Sequence, residues 1–181
     1  ASHYIEKGLL LARKNNQKLP EARCLIGKAY QLLSTGRYAE SLKNLLQAFS
    51  IIDKQDDKKE TWVLVKDYSP QQAKLLVLSY AHHTFANLMT PTLNTEQQVF
   101  HYREAMRLGK EINSPQRVLL ANLGLGRTYL DNNRIDSALI FEKEAARIAQ
   151  ESGRKRFLSN IFSYTGALYL KKGEIEPGLQ S

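Results

Sequence analysis

Residues 125–145 read LGRTYLDNNRIDSALIFEKEA, and this stretch decides the fold. Leu125, Gly126, Tyr129 and Leu130, with Leu123 just ahead of them, recur at helical spacing. Asp131-Asn132-Asn133 breaks the pattern with side chains that favour turns. Asp136 is then placed to cap a second helix, in which Ala138, Leu139, Phe141, Ala145 and Ile148 recur at helical intervals. Ser152-Gly153 ends it, because glycine suits the left-handed position past a helix end. Two antiparallel helices approach closely only where a side chain is nearly absent. Gly126 supplies that gap on one helix, Ala138 and Ala145 on the other, and Tyr129 fills the wider space one turn on.

The same unit recurs outward from this stretch. Ile26-Gly27-x-x-Tyr30, Leu125-Gly126-x-x-Tyr129 and Thr165-Gly166-x-x-Tyr169 share one pattern, and the last two glycines are forty positions apart. Ile26, Gly27, Tyr30, Gly36, Tyr38 and Ala48 make an early repeat. Forty positions before Gly126 and Ala145 lie Ala86 and Ala105, in a degenerate copy with Phe85-Ala86 for Leu-Gly and Met89 for Tyr. Pro91 breaks its first helix. Forty before Ala48 lies Gly8, so residues 3–14 read as the second helix of a truncated first repeat. Thr165, Gly166, Tyr169 and Gly173 open a last repeat, whose second helix is cut off after Pro177 and Gly178. Self-similarity at a fixed period marks a repeat architecture.

Leu125, Gly126, Tyr129, Ala138 and Ala145, in that order and spacing, resemble the tetratricopeptide repeat. A turn glycine is replaced by Asn133, and the usual aromatic of the second helix by Glu142. The forty-residue period exceeds the standard ~34 and is similar to the longer-helix variants of bacterial regulatory proteins. The resemblance implies an all-α, right-handed α-solenoid of antiparallel helix pairs, with about nine helices. One array would span 1–181: a lone second helix at 3–14, repeats at 20–53, 73–114 (degenerate) and 117–152, and a truncated repeat at 157–181. Residues 54–72 are an insertion. Its charged start reads as a solvated loop, and Trp62 with its apolar neighbours as a plug against the solenoid. Ser69-Pro70 reads as the start of the next helix.

Composition narrows the class. The chain has 181 residues, 43% of them apolar, which suits one compact domain or a short solenoid. The longest apolar run, Leu75-Leu76-Val77-Leu78, is far short of a membrane span. No signal peptide is visible, and a start inside a helical pattern without Met reads as a fragment of a longer protein. The single cysteine, Cys24, excludes an internal disulfide and reads as a small, partly buried hydrophobe. The net charge of +8 is spread out, with its densest cluster at Arg154-Lys155-Arg156. That reads as a solvated surface rather than a nucleic-acid footprint.

No constellation of catalytic residues stands out. Gly124-Leu125-Gly126 lacks the third glycine and the preceding strand of a dinucleotide loop. His82-His83 and His101 lack a metal-ligand spacing. Glu104 and Glu111 read as helix-face charges. The expectation is a chain that is not an enzyme, with no cofactor and no metal.

The resemblance implies that first helices line a concave face. Cys24, Lys28 and Gln31, then His83 and Asn87, then Leu123, Arg127 and Asp131, then Ser163 and Ala167, would point into it. This mixture suits an extended peptide carrying an acidic group. Lys28, Asn87 and Arg127 are similar to the carboxylate clamp of some family members. The implied function is a protein- or peptide-binding module, the sensory or regulatory region of a bacterial histidine kinase or transcription regulator. A scaffold without its own ligand and a nucleic-acid-binding repeat are the alternatives. A protein or peptide partner is expected, without nucleic acid or membrane insertion. The setting is cytoplasmic or periplasmic, the latter favoured by the resemblance.

Overall fold

The computed structural model describes residues 2–54, 68–92 and 94–173. Eight α-helices occupy them: α1 (Ser2–Lys14), α2 (Lys18–Ser34), α3 (Tyr38–Asp53), α4 (Pro70–Met89), α5 (Thr95–Glu111), α6 (Pro115–Asp131), α7 (Ile135–Glu151) and α8 (Leu158–Lys172). Short 3-10 turns follow α4 and precede α8, and there is no strand among the described residues. The ninth helix expected beyond Gly173 and the plug around Trp62 lie outside the described residues.

The forty-residue period has a simple origin. Helices α5, α6 and α7 are each seventeen residues long and are separated by three-residue turns. Each turn contains one residue in the left-handed region: Asn113 (φ 50°), Asn133 (φ 57°) and Gly153 (φ 68°), twenty residues apart, with Gly173 (φ 86°) the same step further on. Asn16 (φ 53°) and Gly36 (φ 73°) repeat that interval before the insertion. Asparagine replaces glycine here because its short polar side chain tolerates this conformation. Asn133→Ala should therefore cost roughly 1–2 kcal/mol, whereas Asn133→Gly should hold stability. Thermal unfolding of the two variants checks this, and equal melting temperatures would show that the turn conformation is not limiting.

The chain divides into two compact units, Ala1–Thr92 and Leu93–Ser181. The stretch 73–114 straddles this division, with α4 in the first unit and α5 in the second. In the first unit α2 and α3 pair, α1 packs on α2, and α4 packs on both α2 and α3. Leu25, Ile26, Ala29, Leu45, Ala48, Ile52, Ala73, Val77 and Ala81 form its core. Ser41 takes the small-residue place where α3 meets α2; its buried hydroxyl donates to the Ala29 carbonyl at 2.9 Å. Ser69 caps α4 reciprocally: it accepts from the Gln72 N–H at 3.2 Å, and the Gln72 side chain accepts from the Ser69 N–H at 2.9 Å.

In the second unit α5, α6, α7 and α8 pack in sequence order. Each unit thus has the sequential helix-pair packing of a TPR-like solenoid. Gly126 does face α7. A Cβ built there would lie 2.6 Å from Oε1 of Glu142. Tyr129 stacks on Phe141, with centroids 5.4 Å apart and planes 6° apart. Its counterpart Tyr30 is 57% exposed, and a Cβ at Gly27 would meet only ordinary contacts of 3.7 Å or more. The Gly-Tyr pattern therefore marks the tight α6–α7 seam in the second unit, whereas in the first Gly27 faces Ile5 of α1. Asp136 is not a cap, contrary to expectation. Arg134 holds that position without a side-chain bond, and Asp136 reaches across to Lys172 at 2.9 Å.

Candidate functional site

In the first unit, α2 carries Arg23, Cys24, Lys28 and Gln31. Cys24 turns toward α1, its Sγ 3.1 Å from where a Cβ of Gly8 would stand. Burial raises its thiol pKa, and Arg23 only partly offsets that. Lys28 also reaches α1, pairing with Glu6 at 2.6 Å. Gln31 is half-buried. Across from α2, Tyr80 of α4 lies beneath the Arg23 guanidinium, 4.0 Å from it to the ring centroid, a cation–π contact. His83 and Asn87, one and two turns along from Tyr80, are half-buried. His82 instead meets the edge of Phe49 on α3.

In the second unit, Leu123 is half-buried against the Val118–Leu119–Ala145 cluster. Arg127 is exposed. Its Nε bonds Asp131 one turn along at 3.0 Å, and Nη1 and Nη2 take no part in that pair. Its guanidinium carbon lies 5.4 Å from the centroid of Tyr164 on α8. Ser163, beside Tyr164, and Ala167 are exposed. The structure thus brings Arg127, Asp131 and Tyr164 together across α6 and α8. Tyr164 was not singled out in the sequence, although its place two residues before Gly166 matches Gly124.

A second feature was only half legible. Glu104-Arg107-Glu111 on α5 and Glu144-Arg147-Glu151 on α7 repeat at forty residues. Arg107 bonds Glu104 at 3.1 Å and Glu111 at 3.0 Å; Arg147 bonds Glu144 and Glu151, each at 2.7 Å. The Arg147 bond holds the Glu144 carboxyl below its ordinary pKa. Between α5 and α7 runs a groove of about 620 Å³ whose walls include Met106, Lys110, Phe141, Glu144 and Arg147. These arginines are clamped within their own helices, so their charge is largely neutralised in place.

Among the described residues no three His, Cys, Asp or Glu side chains gather as metal ligands, and no helix is long and apolar enough to cross a membrane. His101 is buried, which lowers its pKa against the opposing pull of Glu104.

No protein-family model matches the sequence, and no curated protein sequence matches it either. The fold does have a solved likeness. A crystal structure of aspartyl phosphate phosphatase F from Bacillus subtilis superimposes with a TM-score of 0.78 at 15% identity. The match covers 91% of this chain but only 39% of that one, so the chain spans well under half the length of the protein it resembles. At this identity the likeness shows an all-helical, TPR-like fold. It also overturns the expectation of a chain that is not an enzyme, because a protein named as a phosphatase is built on this fold. The physical reason is that a helical repeat can present reactive side chains from separate helices. A search for local motifs in the sequence does not exclude such an arrangement.

Proposed function

We propose that the chain is a protein- or peptide-binding module, the regulatory region of a larger bacterial signalling protein. Arg127 carries this reading. It is an exposed guanidinium braced from two sides, by Asp131 and by Tyr164, and only its Nε is used in the bond to Asp131. Such a group recognises a carboxylate through paired, charge-assisted hydrogen bonds. The Tyr164 ring beside it adds apolar contact for an extended peptide. In the first unit, Gln31, His83 and Asn87 offer polar side chains from α2 and α4 to the same kind of ligand, while Lys28 is held by Glu6 of α1. The likeness to a bacterial phosphatase supports a signalling role, and the larger size of that protein supports a parent longer than this chain.

Binding of an acidic peptide, followed by calorimetry, tests the reading. Arg127→Ala should weaken binding more than about tenfold, a loss of roughly 1.4 kcal/mol. Arg107→Ala is the appropriate control. Arg107 sits on a second helix, is clamped by Glu104 and Glu111, and lies off the α5–α7 groove that Arg147 lines. Equal losses from the two variants, or crosslinking of the peptide to α5 and α7, would place binding elsewhere.

A further inference from the structure

Helix α1 packs on α2 through one side. Leu9 and Ala12 are buried, Ile5 meets Gly27, and Glu6 and Arg13 pair with Lys28 and Glu21 of α2. The other side carries Tyr4, Lys7, Leu10, Leu11 and Lys14, all exposed; Tyr4 is 79%, Leu10 70% and Leu11 48% open to water. Helix α7 shows what this side does elsewhere in the fold. Aligned on the left-handed turn residues Asn16 and Gly153, and so on the helix ends Lys14 and Glu151, Tyr4 takes the place of Phe141 and Leu11 that of Ile148. Phe141 stacks on Tyr129 of α6, and Ile148 joins the cluster of Val118 and Leu119 of α6. Tyr4 and Leu11 therefore stand where α7 receives a helix. The outer edge differs in chemistry. Lys7, Leu10 and Lys14 take the places of Glu144, Arg147 and Glu151 on α7, and of Glu104, Arg107 and Glu111 on α5. On α5 and α7 these side chains neutralise one another. On α1 the arginine is replaced by an exposed leucine and both carboxylates by lysines, which have no acidic partner among the described residues.

We propose that this stripe of α1 is a docking surface for an amphipathic helix of a partner protein, one whose apolar face is flanked by acidic side chains. Tyr4, Leu10 and Leu11 supply the apolar contact, in the helix-against-helix manner of α6 on α7. Lys7 and Lys14 lie two turns apart along the stripe, and each takes a carboxylate from the flank of the incoming helix. A further array helix of the ordinary kind accounts for Tyr4 and Leu11 alone. It leaves Leu10 in water, because the matching Arg107 and Arg147 are exposed. A second copy of this chain, docked by the same stripe, sets lysines against lysines. An anionic lipid surface suits the lysines, but the counterparts of Tyr4 and Leu11 on α7 pack against a helix. Helix α1 belongs to the first unit and Arg127 to the second, so this surface does not rest on the proposed function.

The probe is a synthetic peptide of about 18 residues, with leucines at helical spacing on one face and glutamates on both flanks. The whole chain should bind it at least about tenfold more tightly than a scrambled peptide of the same composition. Changing Leu10 and Leu11 together to serine should remove that preference. Changing Lys7 and Lys14 together to glutamate should reverse it, in favour of a peptide with lysines on its flanks. Arg127→Ala should leave it unchanged, which separates this surface from the proposed one. No preference for the ordered peptide, or full affinity in both α1 variants, would overturn the proposal. So would a wild-type dimer in sedimentation that the leucine variant abolishes. Binding to phosphatidylserine vesicles that is lost in both variants, without any peptide binding, would assign the stripe to a membrane instead. Amide exchange of α2 and α3 shows whether the variants keep their fold. Should either fail to, photo-crosslinking of the peptide to the wild type decides: adducts on α1 uphold the surface, and their absence sinks it.

Discussion

Gly126→Leu should destabilise the second unit by roughly 2–4 kcal/mol, the range expected when a close helix contact is overpacked. The first added carbon would already stand 2.6 Å from Glu142 Oε1 and 3.2 Å from Cγ and Cδ of the same side chain. Those atoms belong to a flexible side chain, but it is buried and has little space in which to yield. The cost should therefore be shared between displacing Glu142 and separating α6 from α7. Glu142→Ala in the same chain should recover part of it, since the two changes touch and will not add. Gly124 provides a comparison on the other side of α6. A Cβ there would come within 2.2–2.6 Å of the Tyr102 ring, which is 5% exposed. A rigid ring cannot swing aside as a carboxylate can, so even Gly124→Ala should be harmful. Urea unfolding with exchange of α6 and α7 peptides measures both variants. An unchanged midpoint for Gly126→Leu would show that this glycine is not at a packed seam.

Helices and their turns were legible because they are local. The run from Leu125 to Ala145 carries its own periodicity, its own turn residues and its own small side chains, and the structure places α6, the Asn133 turn and α7 there. What failed to show in the sequence depended on other helices. Ser41 is as polar as an exposed serine until the Ala29 carbonyl is placed beneath it. Gly109 carries no turn signal, yet a Cβ there would stand 2.8 Å from Arg117 Cβ and 3.2 Å from the Val118 backbone nitrogen. Tyr30 and Tyr129 share one pattern, but among the described residues only Tyr129 finds a ring, Phe141, to stack on. The candidate site was less legible still. Positions beside the Leu-Gly pair were expected to face a groove, but Cys24 and Lys28 are engaged by α1, and Leu123 by the core. Arg127 and Asp131 stand out because their pairing is an (i, i+4) contact on one helix, which a sequence does reveal. Tyr164, the ring that braces Arg127, comes from α8 and needed the fold to be seen.

Replacing Glu142 by leucine should stabilise the second unit in a way that depends on pH. The substitution restores an apolar side chain where the related repeats carry an aromatic. The wild-type carboxyl is raised to about 7 in the folded chain by burial, against an ordinary value of 4.5. The folded state therefore holds its proton more tightly than the unfolded state. The stability tied to that proton is fully present below pH 4.5 and is lost as pH rises toward and through 7. The loss across this window is about 3 kcal/mol, since each pKa unit corresponds to about 1.4 kcal/mol. The gap between Glu142→Leu and wild type should then widen by about 3 kcal/mol between pH 4.5 and pH 8. His101 acts in the opposite direction: burial lowers its pKa, so its protonation on acidification favours the unfolded chain. It is present in both proteins and cancels in the comparison. Urea unfolding of the two proteins at a series of pH values gives the difference directly. A gap that stays constant with pH would mean that Glu142 is already solvated in the folded chain.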